Sequence, residues 1–151
     1  MARRTVDRFT DSTGYRLYER PDLDAVRKKK ALLLHRRCLV LLRADMDALP
    51  IQEVNDLPHA STMPGKMHAC GHDVHSASLL GVIRILNEIK SELNGKILFV
   101  FQPGEEKIPG GAKQMIEADI FKDNEPDLVI AQHVCPDLLA GEVGFRQGQY
   151  M

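Results

Sequence analysis

Three short apolar runs, each closing on groups able to do chemistry, constrain what this chain can fold into more than any other feature. Residues 39–42, 97–101 and 128–131 are continuously apolar. Runs of that length suit strands buried on both faces, as in parallel sheets. The first breaks at Arg43-Ala44-Asp45-Met46-Asp47 before Pro50, the second at Gln102-Pro103-Gly104, and the third at Gln132-His133. Between the first two, Leu79, Val82, Ile83, Leu86, Ile89 and Leu93 recur at helical spacing within 74–93. Asp73 is placed to cap that helix and Gly95 lies just beyond its end. Ala112, Met115 and Ile116 predict a short helix after Gly110-Gly111, while 56–65, with Pro58, Pro64 and Gly65, reads as a loop. Strand, helix, strand, helix, strand is the order of an α/β sheet with parallel strands. Val143 and Phe145 alternate near the end and suggest a fourth strand.

Charge divides the chain. Residues 1–38 carry 11 Lys or Arg against 5 acids, +6, whereas the rest carries 9 against 16, −7. The first segment has no aromatic interleaving, repeat or amphipathic stripe, so a solvated basic tail is the expectation, possible disorder included, and 39–151 is the folded part. The overall charge of −1 gives no support for a nucleic-acid or membrane-surface partner. No apolar run approaches the roughly 20 residues that span a bilayer, and the start lacks a signal-peptide core. Three cysteines without Cys-x-x-Cys spacing do not make a disulfide framework. A cytoplasmic protein with reduced thiols is the expectation.

In open α/β sheets ligands bind beyond the carboxyl ends of the strands. Here those ends bring Asp45 and Asp47, Glu105 and Glu106, and His133, and the loop Cys70-Gly71-His72-Asp73 joins them from the start of the long helix. Thiolate, imidazole and carboxylate are ligands of zinc and related divalent ions. A thiolate at a helix N-terminus is also favoured by the helix dipole. Each residue alone has a plainer reading: Cys70 as a small buried hydrophobe, His72 and His133 as structural histidines, the glutamates as solvated loop acids. Together they suit a metal site in which one glutamate coordinates and its neighbour takes a proton from water whose pKa the metal lowers to about 7. Asp45 and Asp47 read either as turn formers or as carboxylates that orient a ligand histidine. His68 and His75 flank the loop and read as structural or substrate-facing.

Four blocks carry a resemblance: Arg43-Ala44-Asp45-Met46-Asp47-Ala48-Leu49-Pro50, the run from Pro64 to Asp73 containing His68-Ala69-Cys70-Gly71-His72, Phe101-Gln102-Pro103-Gly104-Glu105-Glu106, and Gln132-His133-Val134. They resemble the M20 metallopeptidases, in particular the amidohydrolase branch with hippurate hydrolase, N-acyl-amino-acid deacylases and auxin-conjugate hydrolases. The resemblance covers residues 39–151. It implies metal ligation by Cys70, His72, Glu106 and His133, with Glu105 as general base. It implies two divalent ions (zinc, manganese or cobalt) and hydrolysis of N-acyl amino acids by attack of activated water on the amide carbonyl. The implied fold is part of a three-layer α/β/α sandwich with a mostly parallel sheet. The family's lid or dimerisation domain and its last ligand histidine have no counterpart in these residues, although the parent family is often dimeric. The alternative expectation is an inactive fragment that at most binds metal.

Overall fold

The computed structural model of the protein describes residues 16–18 and 38–145. Its elements are β1 (Arg16–Tyr18), β2 (Cys38–Asp45), α1 (His72–Glu88) with a 3-10 turn at Lys90–Glu92, β3 (Gly95–Gln102), α2 (Gly111–Glu117), β4 (Leu128–Ala131) and β5 (Val143–Phe145). They fall into two units. The described residues of one are 38–134, and those of the other are 16–18 and 135–145.

The larger unit is a three-stranded sheet in the order β3-β2-β4. Both pairings are parallel, with Val40 opposite Ile97 on one side and Leu128 on the other. The α/β class read from the alternating runs is therefore the class observed. Leu39, Leu41, Ala44, Leu79 and Val100 make the buried apolar core. The central strand runs three residues beyond the apolar run because its charges are met locally. Arg43 donates from Nη1 to Asp45 Oδ2 at 2.5 Å and from Nε to Gln102 Oε1 at 2.9 Å. Gln102 stands opposite Asp45 in the register. At the other end of β2, the Leu39 N–H donates to Asp127 Oδ2 at 2.7 Å and the Asp127 N–H to the Leu39 carbonyl at 2.9 Å, which sets where β4 begins.

Both expected helices form, with different ends. Asp73 lies in the first turn of α1, where it complements the helix dipole, but it is not the cap. Gly71 occupies that position with φ +85°, and its carbonyl accepts the N–H groups of Val74 and His75. Gly95 opens β3 rather than closing α1. Its φ is +147° and a Cβ there would meet the Cys38 carbonyl oxygen at 2.7 Å, so the strand pairing needs glycine at that point.

Two further expectations are modified. β4 is not covered on both faces: Leu128, Val129 and Ile130 are 40%, 58% and 48% exposed, and among the described residues the strand is an edge, paired only with β2. The fourth strand exists as β5, but it pairs antiparallel with β1, Leu17 opposite Gly144, outside the parallel sheet. β1 lies within the basic segment 1–38. The remainder of that segment up to residue 37, and residues 146–151, lie outside the described residues. No helix among the described residues is long and apolar enough to cross a membrane.

Candidate metal centre

The chain leaves β2 to form β3 on one side and then crosses to form β4 on the other. Right-handed crossovers put α1 and α2 on opposite faces of such a sheet, which opens a crevice where the loops after β2 and β3 diverge. Asp45 and Asp47 stand at the end of β2, and Glu105 and Glu106 follow β3. The loop bearing the glutamates is closed by the Gly111 N–H donating to the Gly104 carbonyl at 2.9 Å. It is tied to the segment just after β2 by the Glu106 N–H donating to Asp47 Oδ2 at 3.0 Å.

His72, the first residue of α1, is the hub. It is 1% exposed, and neither ring nitrogen has a hydrogen-bond partner. Nδ1 lies 3.3 Å from Asp47 Oδ1 without hydrogen-bond alignment, and that oxygen is likewise buried and unpartnered. Nε2 has Asp45 Oδ1 and Glu106 Oε1 at 3.8 Å and Glu105 Oε2 at 3.9 Å. A buried imidazole left unpaired among four carboxylates is costly as it stands, and a cation among these donors would satisfy it. Donor atoms of Cys70, His72 and His133 lie within 4.8 Å of one another, as do those of His72, Glu105 and Glu106. His72 belongs to both groups, so these two clusters share one imidazole, as does a third group of Asp45, His72 and His75.

On the Cys70 side, Sγ is 3.4 Å from His133 Nε2, and His133 Nδ1 donates to the Val134 carbonyl at 2.7 Å. That bond puts the His133 proton on Nδ1 and leaves the Nε2 lone pair toward the cluster. The thiol does not behave as its place before the helix suggested. Burial, a hydrogen bond with Glu106, and the charges of Glu106, Glu105 and Asp45 push it above the ordinary thiol value. Burial and three nearby carboxylates outweigh one helix terminus, so a cation binding here must displace a proton from sulfur.

The two aspartates are more than turn formers. Burial alone would raise Asp45, but the hydrogen bond with His75 and the charge of Arg43 hold it below the usual carboxylate range. Asp47 is likewise opposed by burial and held low, by backbone N–H groups of Glu106, Glu105 and Asp47 itself, with His72 nearby. The sequence therefore leads to every member of the cluster: Asp45, Asp47, Cys70, His72, Glu105, Glu106 and His133 converge. What it left undecided is His75, which is fully buried and bonded at both nitrogens, to Asp45 and to the Val134 N–H. Its three-residue spacing from His72 on one helix face was the available signal. His68 is exposed.

These residues fall within a match to the model of peptidase family M20/M25/M40 over residues 41–149. The chain is 45% identical over 113 residues to N-acetylcysteine deacetylase of Bacillus subtilis, covering 75% of this chain and 29% of that protein. It is 47% identical over 109 residues to IAA-amino acid hydrolase ILR1-like 4 of Arabidopsis thaliana, covering 72% of this chain and 24% of the relative. The chain thus spans less than a third of the length of these relatives. Among solved structures it is similar to the Bacillus subtilis YXEP protein, described as a dinuclear metal binding peptidase from the M20 family. The TM-score is 0.62 at 46% identity, over 67% of this chain and 27% of that one. Because the match to the family model takes in residues 41–149, most of the chain, the chain belongs to peptidase family M20/M25/M40.

Proposed function

We propose that this chain carries the metal-binding and proton-transfer residues of an amidohydrolase acting on N-acyl amino acids. Cys70, His72, Glu106 and His133 would hold the metal, zinc, manganese or cobalt, two ions in all, and Glu105 is the general base. The observation that carries the reading is the buried, unpartnered His72 imidazole, within 4 Å of Asp45, Asp47, Glu105 and Glu106 and sharing a cluster with Cys70 and His133. Thiol, imidazole and carboxylate donors in one crevice suit borderline divalent ions. When bound, such an ion supplies a Lewis acid for the amide carbonyl and acidifies water.

The chain's own residues account for the rest. Glu105 and Glu106 are neighbours on a loop fixed by the Gly104–Gly111 hydrogen bond and by Asp47. The Glu105 side chain is 38% exposed, against 27% for Glu106, so Glu105 is the more accessible to a substrate entering from solvent. Its carboxylate takes a proton from the attacking water and hands it to the departing amine nitrogen. The relatives' substrates, N-acetylcysteine and IAA–amino acid conjugates by their names, share an N-acyl amino acid unit. That common unit is the substrate class proposed here. Three free thiols, Cys38, Cys70 and Cys135, suit a reducing compartment such as the cytoplasm.

The test is paired: metal content, and hydrolysis of a panel of N-acetyl amino acids, for the chain and for Glu105→Gln. Loss of at least about 100-fold in turnover with metal content unchanged is the expected result, in line with general-base contributions. Normal turnover in a metal-loaded Glu105→Gln would refute its role. A second reading, metal binding without turnover, draws on the exposure of His133 and Glu105. It predicts bound metal and no hydrolysis in either protein.

A further inference from the structure

His75 is 0% exposed, and both its nitrogens are committed. The Val134 N–H can only donate, so Nε2, 2.9 Å away, is an acceptor and the ring proton sits on Nδ1. That proton is donated to Asp45 Oδ1 at 2.5 Å, while Arg43 holds the other oxygen of the same carboxylate. To ligate a metal, His75 would have to give up one of these bonds, so its closeness to Asp45 and His72 does not make it a ligand. The next links lead to His133. The Val134 carbonyl accepts from His133 Nδ1, and the Val134 side chain lies against Gly71, where an added Cβ would come within 2.4 Å of Cγ2. The His133 ring also packs edge-on against His75, with centroids 4.5 Å apart. His133 is itself exposed and stands on irregular chain just after β4, so these contacts are what define where it points.

We infer that His75 is a positioning residue for His133. Held by Asp45, it fixes the Val134 backbone on one side and so sets the direction and tautomer of the His133 imidazole facing Cys70. This rests on the metal-binding reading above. It adds that the Cys70–His72–His133 cluster depends on His75, whereas the His72–Glu105–Glu106 cluster, held by Asp47 and the Gly104–Gly111 bond, does not.

Two variants separate the arms of the bridge. In His75→Asn the side-chain amide takes the place of Nδ1 and reaches Asp45 but not Val134. In His75→Gln it takes the place of Nε2 and can accept the Val134 N–H. The full chain is titrated with cobalt(II), following the near-ultraviolet thiolate-to-cobalt band for the Cys70 cluster and total bound cobalt for both clusters. Urea unfolding without metal controls for stability. The expected result is a 10- to 100-fold weaker thiolate-associated site in His75→Asn, the size usual for lost outer contacts to a ligand. The second ion should stay within about threefold, and His75→Gln should return toward the parent affinity. A folded His75→Asn with parent affinity and spectrum overturns the inference, as does equal weakening of both ions in both variants. No cobalt binding by the parent chain is a different outcome, and it sinks the metal reading itself. Should His75→Asn fail to fold, imidazole nitrogen NMR of the unaltered metal-free chain decides. His75 and His133 should both carry the proton on Nδ1, and a His133 protonated mainly on Nε2 overturns the inference.

Discussion

Replacing Gly71 by alanine makes two demands on the backbone at once, and the structure lets them be separated. The residue sits at φ +85°, where an L side chain costs about 1–2 kcal/mol. The new Cβ would also lie 2.4 Å from Val134 Cγ2. Carbon atoms pack at about 3.5–4.0 Å, so roughly an ångström of room must be opened. Overpacking of that kind costs about 1–3 kcal/mol. The expected loss is therefore about 2–5 kcal/mol, read from urea unfolding at unchanged m-value. Val134 Cβ is 3.8 Å from the same point, an ordinary contact. In Gly71→Ala/Val134→Ala the steric part should vanish while the left-handed part remains, giving a favourable coupling of about 1–3 kcal/mol in the double-mutant cycle. Additivity within about 0.5 kcal/mol would refute the claim that Val134 is pressed against Gly71.

Other outcomes follow from the same geometry. Asp45 is held below its unfolded value, so its contribution to stability is fully present above the unfolded pKa of about 3.9 and fades as pH falls through the folded one. Asp45→Asn should therefore be less stable than the parent at neutral pH, with the gap narrowing below about pH 4 in urea melts of metal-free protein. A gap independent of pH would count against that account. Cys38 is pushed up by burial and then by the charge and hydrogen bond of Asp127. Asp127→Asn removes the charge but keeps an oxygen for the Leu39 N–H, so alkylation of Cys38 by iodoacetamide should quicken at pH 8. An unchanged or slower rate would contradict it.

The alternation of apolar runs with helical spacing settled the α/β class by itself, because a strand buried in a parallel sheet and a helix with one apolar face write different periods into the chain. The strand ends and the Cys70–His72 loop also named the cluster, since the carboxyl ends of parallel strands open onto one crevice. Other features were not legible, each for a physical reason. β2 runs through Arg43 and Asp45 because those charges meet each other and Gln102, a cross-strand pairing that exists only once β3 lies alongside. The Cys70 thiol is raised rather than lowered, because the fold buries it and brings carboxylates to it from β2 and from the loop after β3. Gly71 and His75 matter through Val134, about 60 residues away along the chain, and contacts of that separation leave no local pattern. The local sequence determined which residues could do the chemistry; the tertiary structure alone decided which of them face one another and which hold the others in place.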